Sequence, residues 1–596
     1  MASRPILTVN APVAPSARPM RPAGTYNGRT LREHVEDRAK SLMRNRGDID
    51  PVVAEIAGLV QPARSRFCPT IGTNGRGRKS LVNKLYDGYG ITASGILTNG
   101  MTSGLSSPSR PWFKSKVADP DLMRYHSVKL WLSQVDQIMY DFMNATNFYG
   151  ALKSGYGELG NFGTEACFLA EHWQRGMVAH SMTFGEYWIG VSDTLEPDQL
   201  LRHVPMTVRQ MVEKFVASRW DRRELDWSRV SPSIKTAWDN SNYQDVIDVM
   251  HLVEPNPAWD PARFDASGKR FRSVYWEGKC DRQREVLEAE GMEEQPFWAA
   301  RWDTVGSDVY SMSAPGWNAL ADLRGLQAQA KRKGDATDMA IKPPMMGPAS
   351  VKVKMQPGTF TAVPAGMERD AIRPAYQVDY RAIEVVGRDV TDCHRNVDRY
   401  FYVDLFMAIT QMDGVQPRNN EEIFSRNEEK LTQLGPVIER VNGEKLGVGI
   451  DRVFGICMRR GMFPPAPEEL HGMDLGVDYV SILAQAQRAA GLSSVERSLG
   501  FVGNMAKAFP GVTDNIDSDA ITVDYLERSG FPVVAIRDPK DRDAMRADRA
   551  KEAAAEQARQ TAPALKQAAE GAELLSRTDV RGAPLLDSML GGISGI

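Results

Sequence analysis

The sequence has few cysteines, and none of them lie close together. The five cysteines (Cys68, Cys167, Cys280, Cys393 and Cys457) are spread over 596 residues, and no two have the CxxC spacing. This spacing excludes a disulfide framework, and it also excludes a zinc site built from cysteine pairs. We therefore expect buried or incidental thiols in a reducing compartment.

The sequence also lacks long apolar runs. No run approaches the roughly 18 apolar residues that a membrane-spanning helix needs. The chain does not begin with a basic segment followed by an apolar stretch, as a secretory signal does. We therefore expect no membrane span and no secretory signal.

An excess of positive charge is absent as well. The 73 basic and 76 acidic residues give a formal net charge of −3. Proteins that clamp nucleic acid through its phosphates usually carry a basic excess. The balance argues against tight DNA binding over the whole surface, but it leaves room for a local basic patch or a passage through which DNA slides.

What the chain does have is the ordinary composition of a soluble globular protein. Charged residues make up 25 % and hydrophobic residues 42 % of the sequence. A length of 596 residues predicts several domains and a large core that needs no disulfides. We find no internal repeat.

The N-terminal half shows a mixture of helix and strand signals. A proline-rich arm, 1–29, is predicted to be disordered. Thr30 and Glu33 have capping-box spacing, and Asp50-Pro51 predicts a second helix with Asp50 as its cap. The pattern predicts further helices over 80–105, 124–154 and 207–218. Between 160 and 310, short apolar runs such as Tyr187–Val191 and Phe271–Trp276 predict strands.

The C-terminal half is dominated by long helical patterns. Trp317, Leu320, Leu323 and Leu326 mark a helix of roughly 25 residues that ends before Pro343-Pro344, and a second helical pattern of about 30 residues runs from Ile383 to Ala408. Between them lies a Gly- and Pro-spotted insert, 341–376, in which Val351–Met355 alternates as a strand does. A third long helix is predicted over 420–460, further short helices over 470–535, and a loosely held or disordered tail over 541–596. The fold class is therefore α+β, predominantly α-helical.

Two glycine-rich motifs resemble nucleotide-binding sites in part. Gly155–Gly160 fits G-x-G-x-x-G, but an amphipathic helix precedes it where the dinucleotide fingerprint needs a strand, which favours a flexible helix-exit loop. Gly72–Ser80 resembles a P-loop, but Arg78 interrupts the required Gly-Lys-Ser order. Two interpretations of Gly72–Ser80 stay open: a basic loop that contacts an acidic partner or nucleic acid, and a solvated loop.

Other candidate centres lack a necessary part. Cys167, His172 and His180 match no zinc spacing, and a fourth ligand is missing. Cys393-His394 lies on a predicted long helix, where a histidine is a surface or interface residue. The sequence has no G-x-S-x-G elbow, and Asp514–Asp519 lacks the glycine and glutamate of an EF-hand loop. We expect no catalytic residues, no cofactor, no metal and no enzymatic activity.

The linear order of several segments, taken together, resembles the head-to-tail connector (portal) proteins of short-tailed, podovirus-type bacteriophages. The resemblance spans roughly 30–540. The segments that carry it are Leu97–Met101, Ser106–Phe113, Phe162–Thr164, Ala319–Leu323, Pro343-Pro344, Leu434–Arg440, Ser481–Gln487 and Asp514–Asp517.

The resemblance implies a portal fold, in which a subunit has a wing, stem helices, a clip and a crown and assembles into a ring. The implied boundaries are a disordered arm at 1–29, the wing at 30–312, stem helix 1 at 313–340, the clip at 341–376, stem helix 2 at 377–411, a tunnel loop at 412–420, a long wing helix at 421–465, the crown at 466–540 and a helical or disordered tail at 541–596.

The implied function is that of a ring, expected to be a dodecamer, at one vertex of the phage head. Double-stranded DNA would pass through its channel during packaging and ejection. The implied partners are the terminase, tail adaptor proteins, and scaffolding and major capsid proteins, with no membrane. The implied location is the portal vertex of the virion, and the host cytoplasm during assembly.

Two sets of residues are candidates for function in such a ring. Lys352 and Lys354 lie on the predicted strand of the clip and are expected to serve docking. The expected channel loop has a Gly, a Pro and two Asn, which suit a turn, and only one acid and one base. Its residues are Gln411, Met412, Asp413, Gly414, Val415, Gln416, Pro417, Arg418, Asn419 and Asn420.

Two other functions stay open at this point. A phage nucleic-acid-processing enzyme would rest on the two glycine motifs. A monomeric scaffold or tail adaptor would use the same long helices, and its solution mass would distinguish it from a ring.

Overall fold

The computed structural model describes residues 7–8, 30–62, 85–119, 121–217, 225–278, 286–346, 373–376, 379–411, 434–470, 473–480, 500–505, 517, 519, 521–522, 542–556, 570, 579–580 and 583–584. The chain divides into two compact units. The first comprises 1–123 and 131–501, and the second comprises 124–130 and 502–596.

Helices make up the larger share of the regular structure among these residues. In chain order the longer helices and the short ones named below are α1 (Leu31–Arg44), α2 (Asp50–Val60), α3 (Tyr89–Leu105), α4 (His126–Ala145), α5 (Phe148–Phe162), α6 (Val208–Met211), α7 (Pro232–Asp239), α8 (Pro315–Asn318), α9 (Leu320–Ile341), α10 (Tyr380–Tyr400), α11 (Val403–Gln411), α12 (434–441), α13 (Val448–Arg459) and α14 (542–556). Residues 500–505 are also helical. Two π-helical turns, Val212–Val216 and Asn442–Gly447, follow α6 and α12.

The strands pair antiparallel throughout the described residues. They are β1 (Leu7–Thr8), β2 (Phe113–Val117), β3 (Thr164–His172), β4 (Gly176–Met182), β5 (Tyr187–Val191), β6 (Pro197–Thr207), β7 (Val246–Pro255), β8 (Phe271–Glu277), β9 (Glu288–Met292), β10 (Phe297–Arg301), β11 (Met345–Met346), β12 (Arg373–Pro374), β13 (Asp474–Tyr479), β14 (Asp579–Val580) and β15 (Ala583–Pro584). The sheet orders are β5-β6-β7-β8-β9, β10-β3-β4, β1-β13-β2, β11-β12 and β14-β15. The predicted class, α+β with a predominance of helix, is confirmed.

The five-stranded sheet has a core on each face because successive strand residues point to opposite sides. Met250 and Leu252 of β7 pack with Val35 and Leu42 of α1 on one face. Val249 of the same strand packs on the other face, with α6 and α7.

The first two predicted helices are present, and one of the two caps is as expected. Thr30 Oγ1 accepts from the Glu33 amide at 3.3 Å, and the Thr30 amide donates to the Glu33 carboxylate at 3.1 Å, so the capping box is confirmed. The cap of α2 is Ile49, and Asp50 already lies in the first helical turn, beside Arg46. The prediction that Asp50 caps this helix was therefore wrong.

The prediction of a single helix over 124–154 was also wrong. Helix α4 ends at Ala145, and a new helix, α5, begins at Phe148. Asn147 at this break pairs with the backbone of Ala179 in β4, donating at 2.7 Å and accepting at 2.8 Å. A side chain committed to a strand in this way fixes the turn, and no local sequence pattern announces it.

The predicted long helices of the C-terminal half are interrupted. The 377–411 helix is two helices, α10 and α11, separated at buried Phe401 and at Tyr402, which has φ +53°. Positive φ is rare for so bulky a residue and ends the regular helix. The described part of the 420–460 helix contains the π turn Asn442–Gly447 between α12 and α13.

The three-stranded sheet around β13 corrects two further predictions. Asp474–Tyr479 was expected to be helical with the rest of 470–535, but it pairs with Phe113–Val117 of β2. Leu7 and Thr8, expected in a disordered arm, pair with Leu475 and Asp474. Both strands are recognised only through partners far away in the chain.

The second unit is described over α14 and several short segments. The residues of α14 are almost all exposed. Arg546 of this helix forms a two-pronged contact with Asp519, at 2.6 and 2.8 Å, and Arg542 reaches the same carboxylate at 3.2 Å. Helix 542–556 agrees with the helical alternative expected for the tail.

Candidate functional site: the stem hairpin and its anchor

Helices α9 and α10 form an antiparallel pair, which we call the stem hairpin (320–341 and 380–400). Contacts at two glycines show its register. A Cβ at Gly325 would lie 4.0 Å from the Cys393 sulfur, and one at Gly387 would lie 3.9 Å from the Lys333 Nζ. At the inner end, the Asn396 amide donates to the Asp322 carboxylate at 3.1 Å. Away from the body the hairpin is largely exposed, with every residue of 331–335 open to solvent.

The inner end of the hairpin packs against helix α3, and two glycines of α3 make the close packing possible. A Cβ at Gly90 would lie 2.8 Å from the Leu323 side chain of α9, and one at Gly100 would overlap the ring of Phe406 in α11. Leu323 and Phe406 are both 1 % exposed. The apolar base of the hairpin and the following helix α11 are therefore both held by close contact with α3.

A polar cluster, which we call the stem joint, ties both helices to the start of α3. The Gln327 side chain of α9 accepts from the Tyr86 and Asp87 amides at 2.8 and 3.1 Å and donates to the Asp87 carbonyl at 2.7 Å. On α10, His394 lies 3.1 Å from the Asp87 carboxylate and stacks on the Tyr89 ring at 4.0 Å.

The Tyr89 hydroxyl completes the joint by donating to the Asp398 carboxylate at 2.7 Å. Partial burial, and then the hydrogen bond to this carboxylate, raise the pKa of Tyr89 to about 12. The phenol therefore stays protonated and remains a donor at neutral pH. His394 was predicted to be a surface or interface residue, and it lies at an internal interface between α10 and the body.

The G-x-G-x-x-G motif lies inside α5, so the predicted flexible exit loop was wrong. Gly155, Gly157 and Gly160 are buried, and their lack of side chains makes room for other elements. A Cβ at Gly155 would overlap the Glu165 carboxylate, and one at Gly160 would overlap Leu97 of α3. The spacing reflects helix packing, and α4, a helix, precedes α5 where a dinucleotide site would need a strand.

Gly155 leaves space for a buried ion pair between Glu165 of β3 and Lys445 of the π turn. The ammonium also donates to the Leu152 carbonyl at 3.2 Å and lies 3.7 Å from the centre of the Tyr156 ring. Burial raises the pKa of Glu165 and lowers the pKa of Lys445, and their mutual attraction opposes both shifts. No local sequence pattern marks this pair, since 280 residues separate its partners.

A second π-turn residue, Glu444, accepts from the Arg301 backbone amide at 2.9 Å and from its guanidinium at 2.6 Å. Adjacent residues Glu444 and Lys445 thus hold two different strands of one sheet, β10 and β3. This use of a π turn was not predicted.

Most of the residues predicted for function lie outside the described part of the chain. Lys352 and Lys354 do, as do 412–420 of the channel loop and the whole of Gly72–Ser80. Gln411 is the last residue of α11. At the root of the insert, Met345 and Met346 pair with Pro374 and Arg373, and α9 ends at Ile341, just before Pro343-Pro344, as predicted.

The described residues contain no group of three or more His, Cys, Asp or Glu side chains placed to hold a metal ion. Cys167, Cys393 and Cys457 are free thiols. Burial raises the pKa of Cys457 to about 12, and it also raises the pKa of Cys167. Within the same described ranges, no helix combines the length and apolarity that crossing a bilayer requires.

Comparison with known proteins identifies a matching family and two relatives that cover most of the chain. The family model described as "Bacteriophage head to tail connecting protein" matches residues 32–536. A protein named "Portal protein" from Salmonella phage epsilon15 is 36 % identical over 552 residues, which cover 92 % of this chain and 96 % of the relative. A "Probable portal protein" from Bordetella phage BPP-1 is 33 % identical over 545 residues, 91 % of this chain and 94 % of the relative. The chain therefore belongs to the bacteriophage head to tail connecting protein family.

Proposed function

We propose that this chain is the subunit of a phage portal. In this proposal, identical subunits form a ring, expected to have twelve copies, at one vertex of the head. Double-stranded DNA passes through the ring during packaging and ejection. The observation that carries the proposal is the family match over 32–536, together with two relatives named as portals.

The stem hairpin supports the assignment of parts. Its outer half is exposed on a single chain, and an amphipathic helix needs another element against which to bury its apolar face. We assign the stem to 313–340 and 377–411, the clip to 341–376 and the tunnel loop to 412–420. The wing then comprises 30–312 with 421–465, and the crown comprises 466–540.

The charge of the chain suits a conduit. A formal net charge of −3 over 596 residues gives no strong attraction for phosphate, so a duplex is free to slide. Terminase, tail adaptors, and scaffolding and capsid proteins are the partners of this proposed ring. Its place is the portal vertex of the virion, after assembly in the host cytoplasm.

The experiment that tests the ring is mass measurement and electron microscopy of the purified full-length chain. A ring gives particles with a central hole and a mass that is a multiple of 66.1 kDa, close to twelve copies. A chain that stays at 66.1 kDa over the concentrations and salts tested would instead be a monomeric adaptor.

The clip assignment has a separate test, which uses the geometry at the root of the insert. Met346 and Arg373 are direct partners across the β11–β12 pair. Replacing 347–372 with a two-residue Asn-Gly turn therefore closes a short hairpin without moving the stem. Rings of this variant should assemble but fail to bind the tail adaptor.

A matched control keeps the insert and changes only Lys352→Ala and Lys354→Ala. If these lysines carry the docking, this variant also loses adaptor binding. Normal adaptor binding by the variant that lacks 347–372 would refute the clip assignment.

A further inference from the structure

The outer half of the stem hairpin carries opposite charges on its two helices. The stretch 331–342, which is the end of α9 with its C-cap, contains four basic and two acidic residues. The stretch 379–392, which is the N-cap and first part of α10, contains two basic and four acidic residues. The two helices are thus oppositely charged over the same stretch of the hairpin.

The basic side is concentrated in three consecutive residues, Lys331, Arg332 and Lys333, which we call the α9 basic block. All three are exposed. None of them forms a salt bridge with an acid in the part of the chain that the structure describes. Lys331 has only a distant ring contact, 5.7 Å from the centre of the Tyr86 ring.

The acidic side consists of Glu384, Asp389 and Asp392, which we call the α10 acidic stripe. Glu384 contacts Arg388 at 2.7 Å and Asp392 contacts Arg395 at 3.1 Å, both within the helix, and both carboxylates are 66 % exposed. Such exposed pairs within one helix contribute little and exchange easily for other partners. Asp389 is exposed and forms no salt bridge with another described residue.

The block and the stripe lie at the same level along the hairpin. Lys333 lies beside Gly387 and Gly325 lies beside Cys393. Because the helices are antiparallel, these two contacts put the block at the level of 385–389, a stretch that ends at Asp389. A head-to-tail ring needs two different, complementary faces on each copy, and the rotation that relates its copies leaves their height unchanged.

From this geometry we infer that the α9 basic block of one copy docks on the α10 acidic stripe of the adjacent copy. The inference rests on the proposed ring and names the surface by which its subunits meet. Attraction between oppositely charged faces of neighbouring copies also specifies the direction of the ring, since block-to-block and stripe-to-stripe contacts repel.

Charge complementarity favours a second copy over DNA as the occupant of the block. The excess of base on α9 is matched by the excess of acid on α10 at the same level. A polyanion near the block would therefore meet the acidic stripe at the same height. A neighbouring copy presents the stripe to the block directly.

The test reverses each face alone and then both together. Lys331→Glu with Arg332→Glu reverses the block, and Asp389→Lys with Asp392→Lys reverses the stripe. Each reversal should raise the subunit concentration needed for ring formation by roughly tenfold or more at low salt, because like charges then face each other. The chain that carries all four changes should form rings again at close to the wild-type concentration.

A matched control changes net charge equally at exposed sites outside the stem, with Lys235→Glu and Arg549→Glu. It should assemble as the wild type does. Native mass spectrometry and analytical ultracentrifugation give the ring fraction, and circular dichroism verifies that each variant is folded.

Three results would overturn the docking proposal alone. The single reversals could assemble like the control, or the chain with all four substitutions could fail to recover ring assembly. The third result is a reversed block that assembles normally but changes DNA binding by the rings. The last result would assign the block to DNA. A wild-type chain that forms no ring would overturn the proposed function, and the docking proposal with it.

Discussion

The Tyr479 hydroxyl donates a 2.9 Å hydrogen bond to the carbonyl oxygen of Asn442, the first residue of the π turn between α12 and α13. The bond ties strand β13 to the turn that supplies Glu444 and Lys445. A π turn shifts the backbone hydrogen-bond pattern by one residue, and the Tyr479 hydroxyl gives the Asn442 carbonyl a partner from outside the helix. A Cβ at Gly447, where the turn ends, would lie 3.3 Å from the same hydroxyl.

We expect Tyr479→Phe to lower the free energy of unfolding by about 1 kcal/mol, the usual contribution of one hydrogen bond that is not replaced. Chemical denaturation measures the change. Tyr400→Phe, at a tyrosine that is 37 % exposed, is the control and should have little effect. Equal stabilities for the two variants would show that the bond to Asn442 contributes nothing.

The buried glycine of α5 gives a second prediction. Gly155→Ala should destabilise the fold by about 1–3 kcal/mol, because the added methyl group overlaps the Glu165 carboxylate and forces the buried pair apart. Gly150→Ala in the same helix is the matched control, since a Cβ there meets nothing within 4 Å. The control should be neutral or gain up to about 1 kcal/mol from helix propensity.

Thermal unfolding of the two alanine variants separates packing from propensity. If Gly155→Ala were as stable as Gly150→Ala, the motif would have no packing role, and the interpretation of Gly155 as space for the ion pair would be wrong.

Local patterns in the sequence were sufficient for much of the fold. The capping box at Thr30, the alternating strands at 187–191 and 271–277, and the helix–insert–helix order around Pro343-Pro344 all depend on neighbours within a few residues. Each is therefore visible in a single sequence.

The features that were missed depend on distant partners. Asn147 fixes the turn between α4 and α5 because it bonds to Ala179. Gly155 is needed because Glu165 and Lys445 fill the space beside it. Strand β13 forms because Phe113–Val117 lies beside it. The stem joint likewise unites Asp87 with His394 over 307 positions. No periodicity encodes such contacts, so the anchor of the stem could not be predicted from the sequence.

The stem joint gives a third prediction. Tyr89→Phe removes the hydrogen bond to Asp398 and should loosen the inner end of α10 by about 1 kcal/mol. Amide hydrogen exchange over 390–400 should become faster by roughly fivefold, since that free energy corresponds to such a change in the opening equilibrium. Tyr376→Phe, at a tyrosine that is 61 % exposed, is the control. Unchanged exchange in Tyr89→Phe would mean that α3 packing alone holds the helix.

A buried histidine in the five-stranded sheet gives a prediction about pH. His251 Nδ1 accepts from Arg202 Nε at 2.7 Å, so its proton lies on Nε2, 2.7 Å from the Ser273 hydroxyl. Burial first, and then the nearby charges of Arg202 and Lys214, hold the pKa of His251 well below its usual value of 6.5. The ring is therefore neutral in the folded protein.

The sign follows from proton binding in the two states. Below about pH 6.5 the unfolded chain takes up a proton at this histidine, while the folded chain does not until its lower pKa is reached. The contribution of His251 to stability is thus complete above pH 6.5 and falls by about 1.4 kcal/mol per pH unit below it. Denaturation of the wild type and of His251→Gln between pH 5 and pH 7 should give a shallower slope for the variant. Parallel slopes would contradict the assignment.

The last prediction concerns 412–419 of the proposed tunnel loop, which come directly after Gln411, the end of α11. Helix α11 is fixed by Phe406 against Gly100 of α3, so the start of the loop is anchored independently of the loop itself. Residues 412–419 contain one acid, Asp413, and one base, Arg418, and carry little apolar area. Deleting them should therefore leave folding and ring assembly unchanged.

If the loop closes around a duplex by its bulk, heads built with the deleted form should package DNA and then lose it. A full-length variant with Asp413→Asn and Arg418→Gln separates bulk from charge. Because a steric loop needs neither charge, this variant should retain DNA as the wild type does. The measurement is the DNA content of purified particles over time. Normal retention by the deleted form would make 412–419 a simple connector, whereas leakage from the uncharged variant would show that the loop holds DNA through its charges.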